Sequence, residues 1–227
     1  MPLKKYLFKL ARSNLSGYFL GFVFEKLSAF IPVEKITENK YVFVFHHPVK
    51  HWQRHILIVP KKSIRNFLSI DLDNDWGKDM TISVFKTGAQ IAKIQKIDKY
   101  TILVNGGKYQ DVPQVHFHLA SGNDKLGGVL VDEKTQLSSD SKIVFESSSA
   151  SICSIYDDKV KKHFIVKSKK DLLPINKFDF ENIADKSSFV DILGSIQLFL
   201  KKQKLTAFTV SINHENENNL LFHISCQ

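Results

Sequence analysis

Polar and apolar positions alternate strictly along residues 114–119. Val115, Phe117 and Leu119 fall on one side of an extended chain, and Gln114, His116 and His118 on the other. That pattern predicts a strand, Gln114–Ser121, with an apolar face for a core and a row of two imidazoles and an amide on the opposite face. Further strands are expected at Tyr41–Phe45, closed by His46-His47-Pro48, at His55–Val59, closed by Pro60, and at Tyr100–Asn105. Gly106-Gly107 then reads as a turn leading back toward the histidine row. Residues 71–77 read as a loop that opens into a helix over Asp79–Lys96, with Val84, Phe85, Gly88, Ile91 and Ile94 along one stripe.

The same order of elements recurs when the chain is shifted by 108 residues. His55-Ile56-Leu57-Ile58 falls on His163-Phe164-Ile165-Val166, and Tyr100–Asn105 falls on Phe208–Asn213. The helix positions Val84, Phe85 and Ile91 fall on Ile192, Leu193 and Phe199. Residues 188–203 carry a full helical face in Phe189, Ile192, Leu193, Ile196, Phe199 and Leu200. The last strand of the second copy, Asn219–Ser225, sets Asn219 against Gln114, Leu221 against His116 and His223 against His118. Its connecting loop is three residues shorter and lacks the paired glycines. The fold class is therefore α+β: two tandem copies, 31–125 and 141–227, joined by a polar, Gly- and Ser-rich linker at 126–140.

Residues 1–30 form a separate problem. Lys4, Lys5, Lys9 and Arg12 precede an apolar run of eight residues, Gly17–Phe24, which is too short to cross a bilayer. Phe19, Leu20, Phe22, Val23 and Leu27 lie at helical spacing, so an N-terminal helix docked on the protein is expected. Contact with a membrane surface and organelle targeting remain open alternatives.

Charge adds direction to this picture. The net charge of +9 lies wholly in residues 1–126, with 19 Lys and Arg against 10 Asp and Glu, whereas residues 127–227 carry 13 of each. The half with the histidine row thus favours anionic partners, nucleotides or nucleic acid, although no nucleic-acid reading motif is present. Two cysteines, Cys153 and Cys226, form no staple framework and fit reduced thiols of a cytoplasmic protein.

Histidines in a strand row suit metal ligation or attack on phosphorus. Four more, His46, His47, His51 and His55, crowd within ten residues upstream. A metal held by His116, His118 and one of His46, His47 or His51 is conceivable. The spacing matches no common zinc pattern, so no metal is expected.

Taken together, His55, Pro60-Lys61, Asn105, Gln110-x-Val112 and the row ending in His116 and His118 resemble the histidine triad (HIT) superfamily, with Gln114 at the first triad position. The resemblance covers roughly residues 35–125. It implies an antiparallel sheet crossed by a helix, and pairing of the two copies within the chain, the second copy being a degenerate one. It also implies a nucleotide hydrolase or nucleotidyl transferase acting at an α-phosphate, with no cofactor and His116 as nucleophile. His118, Asn105 and backbone amides near Gln110, Asp111 and Val112 would hold the phosphate. His47 falls where the family recognises ribose, and His55 supports the triad from behind. The alternative is a HIT-like protein that binds nucleotide or nucleic acid without turnover.

Overall fold

A computed structural model describes residues 33–49, 51–124, 141–155, 162–214 and 219–226. The expected N-terminal helix over 1–30, with its membrane contact, and the linker at 126–140 lie outside them. The first half runs β1 (Lys35–Glu38), β2 (Val42–His46), β3 (Trp52–Pro60), α1 (Asp75–Ile94), β4 (Thr101–Gly107) and β5 (Phe117–Asp124). The second runs β6 (Lys142–Glu146), β7 (Ala150–Ile155), β8 (Lys162–Ser168), α2 (Ile183–Lys202), β9 (Ala207–Asn213) and β10 (Leu221–Cys226).

Both helices start earlier than the apolar stripes indicate, because asparagine caps set the boundary. Asn74 accepts a hydrogen bond from the Gly77 amide at 2.7 Å, and Asn182 one from the Asp185 amide at 3.1 Å. The caps lie 108 residues apart, and both helices run 20 residues. Each is followed by a lysine in the left-handed region, Lys96 and Lys204, both at φ 52. The short strands β1, β6 and β7 carry no clean alternation and escaped the sequence pattern.

Among the described residues all strands pair antiparallel in one ten-stranded sheet, ordered β1-β2-β3-β5-β4-β9-β10-β8-β7-β6. The halves meet where β4 pairs with β9. Leu103 stands opposite Ser211, the residue 108 positions on, so the centre of the sheet relates the two halves by a local two-fold. Gly106 and Gly107 lie within this contact, and the contact explains them. A Cβ on Gly106 would sit 2.1 Å from the Phe208 ring, and one on Gly107, at φ +60, would sit 1.8 Å from the Thr206 carbonyl oxygen.

Both helices pack on the same face of the sheet, over a single core shared by the halves. Phe85 of α1 meets Phe189 of α2 edge-on at 4.9 Å, and Gln197 donates to the carbonyls of Phe67 and Ile70 at 2.7 and 3.1 Å. The α2 stripe is buried as the spacing implies. On α1 the stripe fails at its end, where Ile94, the last residue of the helix, is 80% exposed. Gly88 lets α1 approach closely, since a Cβ there would meet Ile102 Cδ1 at 2.7 Å.

Candidate functional site

Cross-strand partners share a face, so the register places one row across the sheet on the side away from the helices. It reads Phe45, Leu57, His118, Leu103, Ser211, His223, Ile165, Cys153. His55 lies one step along β3, on the same face as His118. A chain of hydrogen bonds fixes both rings. The His51 backbone amide donates to His55 Nδ1 at 3.3 Å, which assigns the His55 proton to Nε2. That nitrogen stands 2.8 Å from His118 Nδ1 and donates to it. His118 therefore carries its proton on Nε2, a buried atom without an acceptor.

His116 is held differently. Its Nδ1 is 2.8 Å from the Gln114 carbonyl oxygen, which can only accept, so Nδ1 bears the proton and Nε2 keeps a lone pair. The His116 and His118 rings meet edge-on at 4.9 Å. Burial pushes the His116 imidazole below its ordinary value, against an opposing pull from the Gln114 carbonyl and Asp111. Burial and the neighbouring His116 hold His118 well below it. Both rings are therefore neutral at pH 7.

The strand begins at Phe117 rather than Gln114, and the local bonding shows why. The Val115 amide donates to the Ile64 carbonyl at 2.7 Å, turning residues 114–116 toward the segment after β3. Gln114 is buried. Its Nε2 donates to the carbonyls of Pro60 and Lys62, at 3.2 and 3.0 Å, and its Oε1 accepts from the Ile64 amide at 3.2 Å. The side chain expected beside the two imidazoles thus braces the 60–64 segment instead. Gln110 acts in a similar way, donating to the carbonyls of Arg65 and Val112, both at 2.6 Å. Its own amide donates to the Gly107 carbonyl at 3.1 Å, closing the turn. Val112 is half-buried and Asp111 exposed.

Of the upstream histidines, His47 and His51 join the site and His46 does not. His46 pairs with Ile56, on the opposite face from His55. His47 stacks on His55 with centroids 4.0 Å apart and planes 6° from parallel, and its Nδ1 accepts from the Val49 amide at 3.0 Å. Burial, then His51, lowers His47 to about 4; burial, then His47, lowers His55 to about 3. Trp52 closes the stack edge-on to His55 at 4.6 Å. No three His, Cys, Asp or Glu among the described residues converge as metal ligands do.

The sequence reading missed what the second half brings. Asn105, half-buried, accepts a hydrogen bond from Thr209 Oγ1 at 2.7 Å, across the junction between the halves. The equivalent pair is also formed: Thr101 Oγ1 donates to Asn213 Oδ1 at 2.8 Å. Both threonines stand in the 108-residue repeat, which is the signal that could have found them. The second half also holds a pair of imidazoles, His163 Nε2 lying 3.2 Å from His223 Nδ1. Leu221 occupies the place of His116.

Comparison with known proteins gives the family of the first half. Residues 29–125 match the HIT domain model. The chain is 31% identical over 103 residues to an adenosine 5'-monophosphoramidase of Saccharomyces cerevisiae, an alignment that spans 44% of this chain and 61% of the yeast protein. It is 34% identical over 104 residues to a HIT-like protein of Helicobacter pylori, covering 44% of this chain and 96% of that protein. A galt-like protein of Arabidopsis thaliana, 13% identical, shares the fold over 86% of this chain and 78% of its own, with a TM-score of 0.56. The chain belongs to the HIT family.

Proposed function

We propose that the protein binds a nucleotide or nucleotidylated small molecule and transfers or hydrolyses its nucleotidyl group through a covalent phospho-histidine at His116. The observation that carries this reading is the tautomer of His116. Its Nδ1 proton is tied to the Gln114 carbonyl, so an unprotonated Nε2 is available for attack. The lone pair forms a P–N bond as the bond from phosphorus to the leaving group breaks, and the leaving group takes a proton from solvent. Water then attacks the same phosphorus, gives up a proton to solvent and returns the P–N electron pair to Nε2. His118 Nε2–H, fixed by His55, is a neutral donor for the phosphoryl oxygens as charge builds on them. Asn105 supplies a second donor, and the Asp111 and Val112 amides a third group. Gln114 acts as a brace for the 60–64 segment and contributes no proton.

The yeast relative acts on an adenosine phosphoramidate, which makes adenosine 5'-phosphoramidate the first substrate to try. The expected result is AMP release with a phospho-intermediate on His116, both lost in His116→Ala. A second reading, nucleotide binding without turnover, draws on Asp111, whose charge reaches His116 and His47 and would repel a phosphate. AMP binding with no turnover of phosphoramidates or acyl-adenylates would decide for it.

The second half, on this reading, is a degenerate HIT-like copy that serves as a built-in partner. Fusion gives it a high effective concentration at the β4–β9 junction.

A further inference from the structure

We propose that Thr209, from the second half, is a positioning residue that aims the Asn105 amide at the His116 site. The inference rests on the reading of His116 and Asn105 given above. An asparagine side chain has one acceptor end and one two-donor end, and which way it points decides what it can bind. β4 lies between β5, which holds His118 and starts one residue after His116, and β9, the strand of Thr209. Thr209 stands directly opposite Asn105 and donates to its Oδ1 at 2.7 Å. With the oxygen held on the β9 side, the NH2 group is turned toward β5. There the last paired residues are Val104 and Phe117, and Asn105 and His116 are the residues that flank this pair where the ladder ends. A donor pair is thereby turned toward the strand end beside which His116 stands, and a hydroxyl from the other half holds it there.

The chain supplies its own control. Thr101 and Asn213 form the same bond at 2.8 Å, across the same junction, but the amide so fixed looks toward the strand that carries Leu221. Replacing either threonine by valine removes one such bond and keeps the branched shape. Only one of the two replacements should reach the chemistry.

The experiment compares Thr209→Val, Thr209→Ser and Thr101→Val in the full chain, by steady-state turnover of adenosine 5'-phosphoramidate and by calorimetric titration with AMP. Thr209→Val is expected to lower kcat/KM and AMP affinity about ten-fold or more, because a misaimed donor loses most of its value. Thr209→Ser should remain within about two-fold of the parent, since the hydroxyl is kept. Thr101→Val should shift the melting temperature as much as Thr209→Val and leave both readouts unchanged. In the Asn105→Ala background, Thr209→Val should have no further effect. Equal activity in the two valine variants, or a serine variant as poor as the valine one, overturns the proposal while leaving His116 in its role. Full turnover in His116→Ala, or neither turnover nor AMP binding by the parent protein, overturns the reading of the site and this inference with it.

Discussion

The two halves share almost everything except the atom proposed to react. Each pairs two buried imidazoles, His55 with His118 at 2.8 Å and His163 with His223 at 3.2 Å. Each lends a threonine hydroxyl to an asparagine of the other. Only the first has His116 in place of leucine, a Gly-Gly segment, and a glutamine brace behind the strand. The imidazole pair persists where no nucleophile stands beside it, so it belongs to the architecture of the sheet as well as to the site. Of these features only His116 would enter the proposed reaction; the glycines answer to the closeness of Phe208 and Thr206, and Gln114 to the 60–64 segment.

The sharpest way to break this comparison is at the one position where the halves differ most. His116→Ala should lower phosphoramidate turnover by at least about 10⁴-fold, on the order of 5 kcal/mol in the barrier. Leu221→Ala, at the equivalent place, should leave kcat unchanged while costing some stability, since a half-buried leucine is truncated. A loss of turnover from the leucine replacement would mean that the second half takes part in the chemistry directly.

The junction comes next in size. Phe208 is 1% exposed and its ring fills the space that Gly106 leaves open. Phe208→Ala should cost about 3–5 kcal/mol in denaturant unfolding, and one cooperative transition for both halves is expected because they share a core. Two separate transitions would show that the halves fold independently. Gln114→Leu leaves two carbonyls and the Ile64 amide in the 60–64 segment without that partner, at a cost of about 2–3 kcal/mol. Turnover should fall as well, because the carbonyl that fixes His116 shifts. Asn219, the counterpart, is exposed, and Asn219→Leu should change neither.

The site was legible where chemistry follows alternation, and obscure where it follows hydrogen bonding at a distance. His116 and His118 stand out in a strand pattern, and the strand register brings His55 to His118, the two ring nitrogens lying 2.8 Å apart. Gln114 looked like a third member of the row because alternation was extended past the point where the chain leaves the sheet; the Val115 to Ile64 bond that ends it joins residues 51 positions apart. Thr209 could not be seen by any local rule, since its partner lies 104 residues away. Gly106 and Gly107 were visible as glycines, but their reason, the closeness of Thr206 and Phe208, belongs to the pairing of the halves. The asparagine caps at 74 and 182 were readable in principle, yet the apolar stripe outweighed them.

Acid should weaken both halves in the same way. Burial lowers His55 and His223 to about 3, against an ordinary value of 6.5. Their unfolded forms therefore take up protons first as pH falls, and the stability they contribute above pH 6.5 drains away until their folded values are reached. At pH 5 each buried ring should have lost about 2 kcal/mol. Unfolding free energies measured between pH 7 and pH 5 check this. His223→Phe should flatten the profile by one ring's share without altering turnover; a profile as steep as the parent's would mean that this ring is already charged in the fold.

The smallest effect separates helix from site most cleanly. Gly194 lies inside α2, and a Cβ built there meets nothing within 4 Å, whereas Gly88 inside α1 is pressed against Ile102. Glycine in a helix interior costs about 1 kcal/mol relative to alanine, chiefly through the freedom it adds to the unfolded chain. Gly194→Ala should therefore raise stability by about 0.5–1 kcal/mol, while Gly88→Ala lowers it, because the Ile102 and Ile58 side chains must give way. Turnover should not respond to Gly194→Ala, since α2 packs on the helix side of the sheet and His116 and His118 face the other. A gain in stability accompanied by lost activity would mean that the site depends on motion of α2, and that the second half does more than hold Asn105 in place.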